Sequence, residues 1–178
     1  GLTFDAGFDA DYHIIVRRGF FGTALFDVDI AVLGTADFSQ HFNVFMDANE
    51  GSGTTGTGPG NASPIEVAYN GSNTGGVIDG DTAADQAAAL AVETGLELSI
   101  DLADLGNPTG DIRVLIFQNN DGHNYASNQF LGGLAAPQGN LGGDGTGAFT
   151  GVCDFDLGNF AGDQFFTISN GPDGVGTP

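Results

Sequence analysis

The sequence predicts an all-β fold, an antiparallel β-sandwich with one short helix and long glycine-rich loops. Short segments in which apolar and polar residues alternate recur along the chain, as expected of strands that bury one face. Turn-forming residues separate these segments. Glycine, at 31 of 178 residues, is more than twice its usual share of about 7%. Long helices are therefore disfavoured, because a glycine inside a helix costs about 1 kcal/mol relative to alanine.

The first half of the chain contains four predicted strands. They are marked by alternating or clustered apolar residues and cover residues 12–17, 26–32, 42–46 and 65–69. A single helical turn is expected at 35–37. The stretch 47–64 is dominated by Gly, Ser and Thr and predicts a long flexible loop, because it offers little apolar area to bury. Asn61 and Asn70 fit the N-glycosylation pattern, which also occurs often by chance.

Residues 95–134 form the segment around which we expect the fold to be organised. Its first strand, at 96–101, alternates strictly between apolar and polar residues. The apolar run 113–117 predicts a second strand, covered on both faces. Together they predict a hairpin that presents the polar loop 118–124 as a binding edge.

The other predicted elements of the second half are a short helix and three strands. The helix covers 81–90, and the strands cover 128–131, 148–157 and 163–169, with a glycine-rich loop at 132–147. The expected core residues of the last strands are Phe155, Phe165, Phe166 and Ile168. We predict one domain over 1–169 and a tail or linker at 170–178. A chain of this length can bury roughly 70% of the surface that its unfolded form exposes.

The net charge of −20 comes from 23 acidic residues against three arginines, without lysine. Such a surface repels nucleic acid and anionic membranes. It predicts an extracellular or saline setting, or simply a well-solvated surface. Cys153 is the single cysteine, so an intrachain disulfide is excluded. No apolar run approaches the roughly 18 residues of a membrane span, and the missing basic n-region predicts that no signal peptide is present in this sequence.

Oxygen-rich clusters suggest a calcium site, because Ca²⁺ takes six to eight oxygen ligands. The candidate ligands are Asp79, Asp81 and Asp85 in one cluster, Asp5, Asp9 and Asp11 in a second, and the polar residues of 119–124 in a third. None matches the twelve-residue EF-hand loop, and turn chemistry is the alternative explanation. The three histidines are too scattered for a zinc motif. Neither haem nor a nucleotide is expected.

A sugar site is the second candidate, centred on Tyr125. Its ring is flanked by hydrogen-bonding side chains, namely Asn119, Asn120, Asp121, His123, Asn124 and Asn128. The alternative is a polar loop whose groups satisfy one another. No nucleophile elbow of the form G-x-S-x-G is present, and the many acids make any chosen carboxylate pair uninformative. We therefore expect a protein that is not an enzyme.

The segment GLELSIDLADLG resembles a signature of DOMON-like domains, the superfamily that includes family-nine carbohydrate-binding modules. Further segments are similar to a family of secreted bacterial proteins with such a β-sandwich and a C-terminal sorting tail: GLTFDAGFDADYHIIVRRG, FNVF, SNQFLGGLAAPQGNLGGDGTG and NFAGDQFFTISN. The resemblance implies a jelly-roll-type fold and secretion. Related domains carry strands before the position of Gly1, so this sandwich is expected to lack N-terminal strands. A neighbouring subunit could supply a replacement by strand addition.

The chain departs from the resemblance in having no tryptophan, whereas family-nine modules hold sugar between tryptophan rings. We expect a secreted, calcium-stabilised structural module of a bacterial cell surface, matrix or filament, which associates with itself or with a neighbouring subunit. The alternative is a carbohydrate-binding module that holds polysaccharide through the 119–128 loop. Neither nucleic-acid binding nor membrane insertion is expected.

Overall fold

A computed structural model of the chain describes residues 1–20, 24–45, 50–72, 91–135 and 138–169. These residues fall into two compact units. Unit one contains residues 1–9 and 109–169, and unit two contains residues 10–72 and 91–108. The predicted single domain over 1–169 stays a prediction. The predicted tail at 170–178 and the predicted helix at 81–90 lie outside the described residues.

The described residues form an all-β structure, which confirms the predicted fold class at that level. The strands are β1 (Tyr12–Phe20), β2 (Ala24–Val32), β3 (Phe38–His41), β4 (Glu50–Thr54), β5 (Glu66–Asn70), β6 (Leu96–Ser99), β7 (Ile112–Val114), β8 (Phe117–Asn119), β9 (Ala126–Phe130) and β10 (Phe166–Ile168). Every pairing between these strands is antiparallel. In the described part of the chain, the single helical element is a 3₁₀ turn at Leu157–Asn159.

Unit two contains two three-stranded sheets, in the orders β1-β2-β3 and β4-β5-β6. Their apolar side chains meet in one core cluster, whose buried members are Phe26, Val28, Ile30, Ile65 and Val67. Phe26, Val28 and Ile30 come from alternate positions of β2, as expected of a strand with one buried face. The alternating patterns of β1, β2, β5 and β6 therefore predicted these strands correctly.

The predicted flexible loop over 47–64 is wrong for its described part, which contains β4 and an ordered turn. The glycines of this stretch permit close packing. A Cβ on Gly51 would lie 2.8 Å from Cδ2 of Phe45, and one on Gly60 would lie 2.8 Å from the carbonyl oxygen of Ile30. A Cβ on Gly53 would collide with the carbonyl oxygen of Val44. The composition thus reflects close approach of neighbouring groups, and not a lack of order.

The side chain of Asn61 holds the turn after β4 together. This residue is 1% exposed, and its Nδ2 donates to the carbonyl oxygens of Gly56 at 3.0 Å and Ser63 at 2.8 Å. Its Oδ1 lies 3.0 Å from Nε2 of His41. Because both amide hydrogens are bonded and the group is buried, Asn61 cannot act as a glycosylation acceptor in this fold.

Two aspartates of the DLADLG segment, residues 101–106, anchor the same turn. The carboxylate of Asp104 accepts from the backbone N–H groups of Ala62 at 2.7 Å and Ser63 at 3.0 Å. The carboxylate of Asp101 accepts from the Ser63 hydroxyl at 3.0 Å. The backbone N–H of Ala103, followed by the Ser63 hydroxyl, holds the pKa of Asp101 below its ordinary value. The segment therefore has a structural role.

The connection from β2 to β3 differs from the prediction. The expected helical turn at 35–37 is wrong: Thr35 donates its hydroxyl to the carbonyl oxygen of Val32 at 2.9 Å and accepts from the N–H of Asp37 at 3.0 Å. This hydroxyl builds a tight turn between antiparallel strands. The expected strand at 42–46 is also wrong in its described part, because β3 ends at His41 and residues 42–45 are irregular.

Unit one contains two two-stranded sheets, β7 with β10 and β8 with β9. The expected single strand over 113–117 is wrong, since the chain leaves the sheet between β7 and β8 and exposes Ile116 by 56%. The expected hairpin between the strands at 96–101 and 113–117 is wrong as well. β6 pairs with β5, and β7 pairs with β10.

The core of unit one differs in part from the expected one. Phe155 is buried, together with Ala126, Leu141 and Leu157. Phe166 and Ile168 were expected in the core but are 45% and 40% exposed. The predicted strand at 148–157 is wrong, because this segment is irregular until the 3₁₀ turn.

We expect Gly60→Ala to lower the free energy of unfolding by about 1–3 kcal/mol, the usual range for overpacking. The added Cβ would lie 2.8 Å from the carbonyl oxygen of Ile30 and 3.1 Å from the amide nitrogen of Ser39. The matched control is Gly95→Ala, whose Cβ would meet nothing within 4 Å. Urea unfolding of both variants checks this, and equal midpoints would contradict the close packing.

Candidate functional site

The polar loop between β8 and β9 is the first candidate site, and its side chains bond mainly to one another. Asn120 Nδ2 donates to Asn124 Oδ1 at 2.7 Å, and the N–H of Asn124 donates to Asn120 Oδ1 at 3.0 Å. Asn119 Nδ2 lies 3.0 Å from His123 Nδ1. His123 itself has a left-handed backbone with φ of 52°. These bonds build the turn between β8 and β9.

The remaining three predicted residues have different environments. Asp121 is exposed at the tip of the loop. Asn128 lies in β9, where its Nδ2 donates to the carbonyl oxygen of Gln138 at 2.7 Å and its N–H donates to Oδ1 of Asn140 at 3.2 Å. Tyr125 is half-buried, and its ring stacks on Phe149 with centroids 6.4 Å apart and an interplanar angle of 27°. Of the seven predicted residues, Tyr125 lines a cleft.

This cleft has a volume of about 380 Å³ and opens between Tyr125 and the glycine-rich loop. We call it the Tyr125 cleft; its lining residues are Tyr125, Gln138, Gly139, Asn140, Gly145, Thr146 and Gly147. The predicted loop thus contributes one wall, and residues 138–147 contribute the other. The sequence did not reveal this second wall, because it comes from a low-complexity segment.

Asp144 shapes the second wall of the cleft. Its Oδ1 accepts from the N–H of Thr146 at 2.9 Å and from the Thr146 hydroxyl at 2.8 Å, the usual bonding of an aspartate-initiated turn. These two bonds hold the pKa of Asp144 below its ordinary value. Gly145 and Gly147 on this turn have φ values of 85° and 90°, which favour glycine. The triplet Asp-Gly-Thr is the one signal by which the sequence could have indicated an ordered turn here.

The predicted calcium ligands are not gathered into a site in the described residues. Asp5 is buried and its Oδ2 accepts from the N–H of Gln164 at 2.6 Å, so it has a structural partner. Asp9 and Asp11 are exposed and belong to different units. The other three candidates, Asp79, Asp81 and Asp85, lie outside the described residues. The described ranges contain no group of three or more His, Cys, Asp or Glu side chains that could hold a metal ion.

Arg17 forms an ion-paired cluster with two aspartates of β2. Its Nε lies 2.9 Å from Oδ1 of Asp27, and its Nη2 donates to Oδ2 of Asp29 at 2.6 Å. The side chains are 29%, 14% and 10% exposed. The contact to Asp27 is an ion pair without hydrogen-bond geometry. Among the described residues, neither Oδ1 of Asp27 nor Oδ1 of Asp29 has a hydrogen-bond partner. Two partly buried negative charges therefore share one positive charge.

The carboxyl group of Asp27 is the strained member of this cluster. Burial raises its pKa above the ordinary value, the charge of Arg17 opposes the rise, and the charge of Asp29 reinforces it. The charged form of Asp27 is thus disfavoured by the fold, since desolvation outweighs the ion pair.

The outer edge of β1 is the second candidate site. The N–H of Leu33 donates to the carbonyl oxygen of Asp11 at 2.8 Å, and the β1–β2 register is continuous from Tyr12↔Val32 to Phe20↔Ala24. Because antiparallel residues alternate between bonded and non-bonded pairs, the odd-numbered residues of β1 bond to β2. The N–H groups of Ile14, Val16 and Arg18 point away from β2, and no strand in the described residues pairs with them.

Comparison with known proteins finds no matching family model, no matching curated protein and no matching solved structure. The likeness to DOMON-like domains therefore stays a prediction. Among the described residues, no helix has the length and apolar character needed to cross a membrane.

We expect Asp27→Asn to raise the free energy of unfolding at neutral pH. Because the folded state raises the pKa of Asp27, this carboxyl group stabilises the fold at pH values below its unfolded pKa of about 4, and that stabilisation is lost as pH rises through the folded pKa. Asparagine does not ionise, so the variant does not lose this stability. Its free energy of unfolding, relative to that of the natural chain, should therefore increase with pH. Chemical denaturation between about pH 3 and pH 7 checks the prediction.

Asp101→Asn is the control with the opposite sign. The folded-state pKa of Asp101 is depressed, so its contribution is present above the unfolded pKa and is lost as pH falls through the folded value. This variant should therefore be less stable than the natural chain at neutral pH, with a difference that vanishes in acid. An Asp27→Asn protein that is less stable at every pH would show that the Arg17 ion pair outweighs burial.

Proposed function

We propose that this chain is a secreted, non-catalytic β-sandwich module of a bacterial cell surface, matrix or filament, and that a strand from a neighbouring subunit pairs with β1. The observation that carries the proposal is that no strand of the described residues pairs with the outward backbone groups of Ile14, Val16 and Arg18. For the sandwich, the support is that the two sheets of unit two contribute apolar residues to one core cluster. Two antiparallel sheets that share a core in this way are the basis of the architecture.

The edge of β1 lacks three of the features that commonly prevent strand pairing. Edge strands are commonly short, bulged or interrupted by proline. β1 has nine residues, contains no proline and keeps an unbroken register with β2. Its middle residues Ile14, Ile15 and Val16 favour extended structure. An added strand would bond to the outward N–H and carbonyl groups without displacing any strand described here.

The positions of the arginines favour an acidic partner strand, such as one from a neighbouring subunit that is as acidic as this chain. Two of the three arginines of the chain, Arg17 and Arg18, lie on β1. Arg17 is paired with Asp27 and Asp29. Arg18 is exposed, and Cζ of its guanidinium lies 5.7 Å from the centroid of the Tyr69 ring. An acidic incoming strand would find a positive side chain at this edge and few elsewhere, which would fix its position on the sheet.

The net charge of −20 opposes association between copies, since like-charged surfaces repel. Divalent cations would reduce this repulsion by binding surface carboxylates. We therefore propose that calcium stabilises the assembled form, and that an extracellular medium provides it. This role needs exposed carboxylates and does not depend on a preformed cage.

Amide hydrogen exchange tests the proposed strand pairing residue by residue. In the monomer, the outward N–H groups of Ile14, Val16 and Arg18 should exchange quickly, while those of Ile15 and Arg17 are protected by β2. On self-association the outward set should slow by about tenfold or more. Assembly that leaves these amides unprotected would contradict the proposed interface.

A pair of variants at Arg18 provides the control for this test. Arg18→Pro and Arg18→Thr both remove the charge, but only proline removes the outward N–H, a change that edge strands tolerate. Association measured by sedimentation should be lost with proline and should persist with threonine. Equal behaviour of both variants, or a chain that stays monomeric at every concentration, would overturn the proposal.

Calcium at millimolar concentration should raise the melting temperature of the chain and shift it toward larger species, since a ligand that binds the native form stabilises it. Magnesium is the control, because it is reluctant to exchange its water for protein oxygens. An unchanged melting temperature and an unchanged size distribution would contradict the calcium proposal while leaving strand pairing to its own test.

A further inference from the structure

The bonding pattern of β1 limits the strands that can join its outer edge. In an antiparallel pair, alternate residues bond to the partner, and residues directly opposite each other lie on the same face of the sheet. Ile14, Val16 and Arg18 bond outward from β1, and the first two of these also pack against the core of unit two. A joining strand therefore continues the apolar face only if its own outward-bonding residues face the core as well.

The edge strand β6 meets this condition. The N–H of Asn70 donates to the carbonyl oxygen of Gly95 at 2.8 Å, so the odd-numbered residues of β6 bond to β5 in the observed register. Leu96 and Leu98 therefore bond outward. Leu98 packs against the core cluster, and Leu96, on the same face, is 45% exposed. On β6, as on β1, the outward-bonding residues carry the apolar side chains.

The other two edge strands of unit two have the opposite pattern. In β3, Phe38 and Gln40 bond outward, and both are exposed. In β4, Ser52 and Thr54 bond outward and are exposed as well. Pairing either strand with β1 would place solvent-facing side chains opposite core-facing ones. Among the described edge strands of unit two, β1 and β6 are thus the two whose patterns match.

Charge distinguishes the pairings that these patterns allow. The sequence of β1 contains two arginines and no acidic residue, whereas residues 93–101, which include β6, contain three acids and no base. Pairing β1 with a second β1 would bring the arginines of both copies together, and pairing β6 with a second β6 would bring the acids together. Like charges on neighbouring strands are destabilising. The combination of β1 with β6 joins opposite charges.

We infer that β6 of a second copy of this chain is the strand that pairs with β1, with Val16 opposite Leu98 and Arg17 opposite Glu97. The inference rests on the proposed strand pairing at β1 and names its partner. The direction is antiparallel, as in every pairing between the described strands. Because two different strands meet, each copy can pair at two places, and repeated contacts extend into a filament or close into a ring.

The pair of Arg17 and Glu97 sets the register. A shift by two residues in either direction would keep the bonding pattern but would place Glu97 opposite Ile15 or Gly19. The contacts of Arg17 to the aspartates of β2 use Nε and Nη2, so Nη1 remains for the incoming carboxylate. Glu97 is exposed on β6.

Single-cysteine variants test the partner and the register. In the inferred register Ile15 and Ser99 of the second copy are a non-hydrogen-bonded pair, whose short Cα separation suits a disulfide. Cys153→Ala provides the background without the natural thiol. In this background, Ile15→Cys mixed with Ser99→Cys should give disulfide-linked heterodimers on mild oxidation, because each chain then carries one cysteine. The matched control is Ile15→Cys mixed with Thr54→Cys on the edge of β4, which should give few.

Equal yields from the two mixtures would overturn the inference, since the edge of β1 would then not select β6. Preferential linkage between two copies of Ile15→Cys would overturn it as well, because β1 would then pair with itself. Melting temperatures of the variants show that each is folded before oxidation.

Amide hydrogen exchange separates this inference from the pairing on which it rests. On association, the N–H groups of Leu96 and Leu98 should slow by about tenfold or more, together with those of Ile14 and Val16. The odd-numbered residues of β6 are protected by β5 beforehand. Protection that reaches β1 but not β6 would overturn β6 as the partner and leave the proposed pairing in place. Association without protection of β1 would overturn both.

Discussion

The described structure of unit two depends on close packing around β4. This strand and the turn after it approach residues 44–45, β2 and β3 closely. Positions 51, 53, 58 and 60 all lie where a Cβ would collide with a neighbouring group. Glycine at these positions lets β4 lie against residues 44–45 and lets the following turn reach the backbone of β2 and β3. Asn61 then satisfies the buried polar groups of that turn, and Asp101 and Asp104 anchor it from the far side. The polar and glycine-rich residues of this region thus determine its structure as firmly as the apolar core does.

The same constraint explains which elements the sequence could predict. Strands β1, β2, β5 and β6 have alternating patterns because one face of each is apolar and the other polar, so local sequence is sufficient. β4 has the sequence EGSGT and buries no large side chain, so its strand character depends on pairing with β5. The run at 113–117 was apolar enough to suggest one covered strand, but Ile116 is exposed and the chain changes partner there. Tertiary contacts outweigh local pattern at both places.

The residues of the candidate site could also be predicted only in part from the sequence. Tyr125 could be predicted because an aromatic ring in a polar loop is visible locally. Two of the predicted asparagines, Asn120 and Asn124, bond to each other across the turn, and their role as ligand-binding residues stays a prediction. The residues that face Tyr125 across the cleft come from positions 138–147. This segment is held to β9 by the bridge between Ala126 and Gly142 and by the bond from Asn128 to the carbonyl oxygen of Gln138. Such distant pairing leaves no periodic signal in the sequence.

The two candidate surfaces, the outer edge of β1 and the Tyr125 cleft, differ in chemistry. The edge of β1 would recognise a partner through backbone groups, which are independent of side-chain identity, with Arg18 selecting an acidic strand. The Tyr125 cleft offers a ring, amides and a hydroxyl. The net charge of −20 acts against anions at both places and makes contact between copies dependent on cations. Neither surface uses the groups of the other, so a substitution at one leaves the chemistry of the other unchanged.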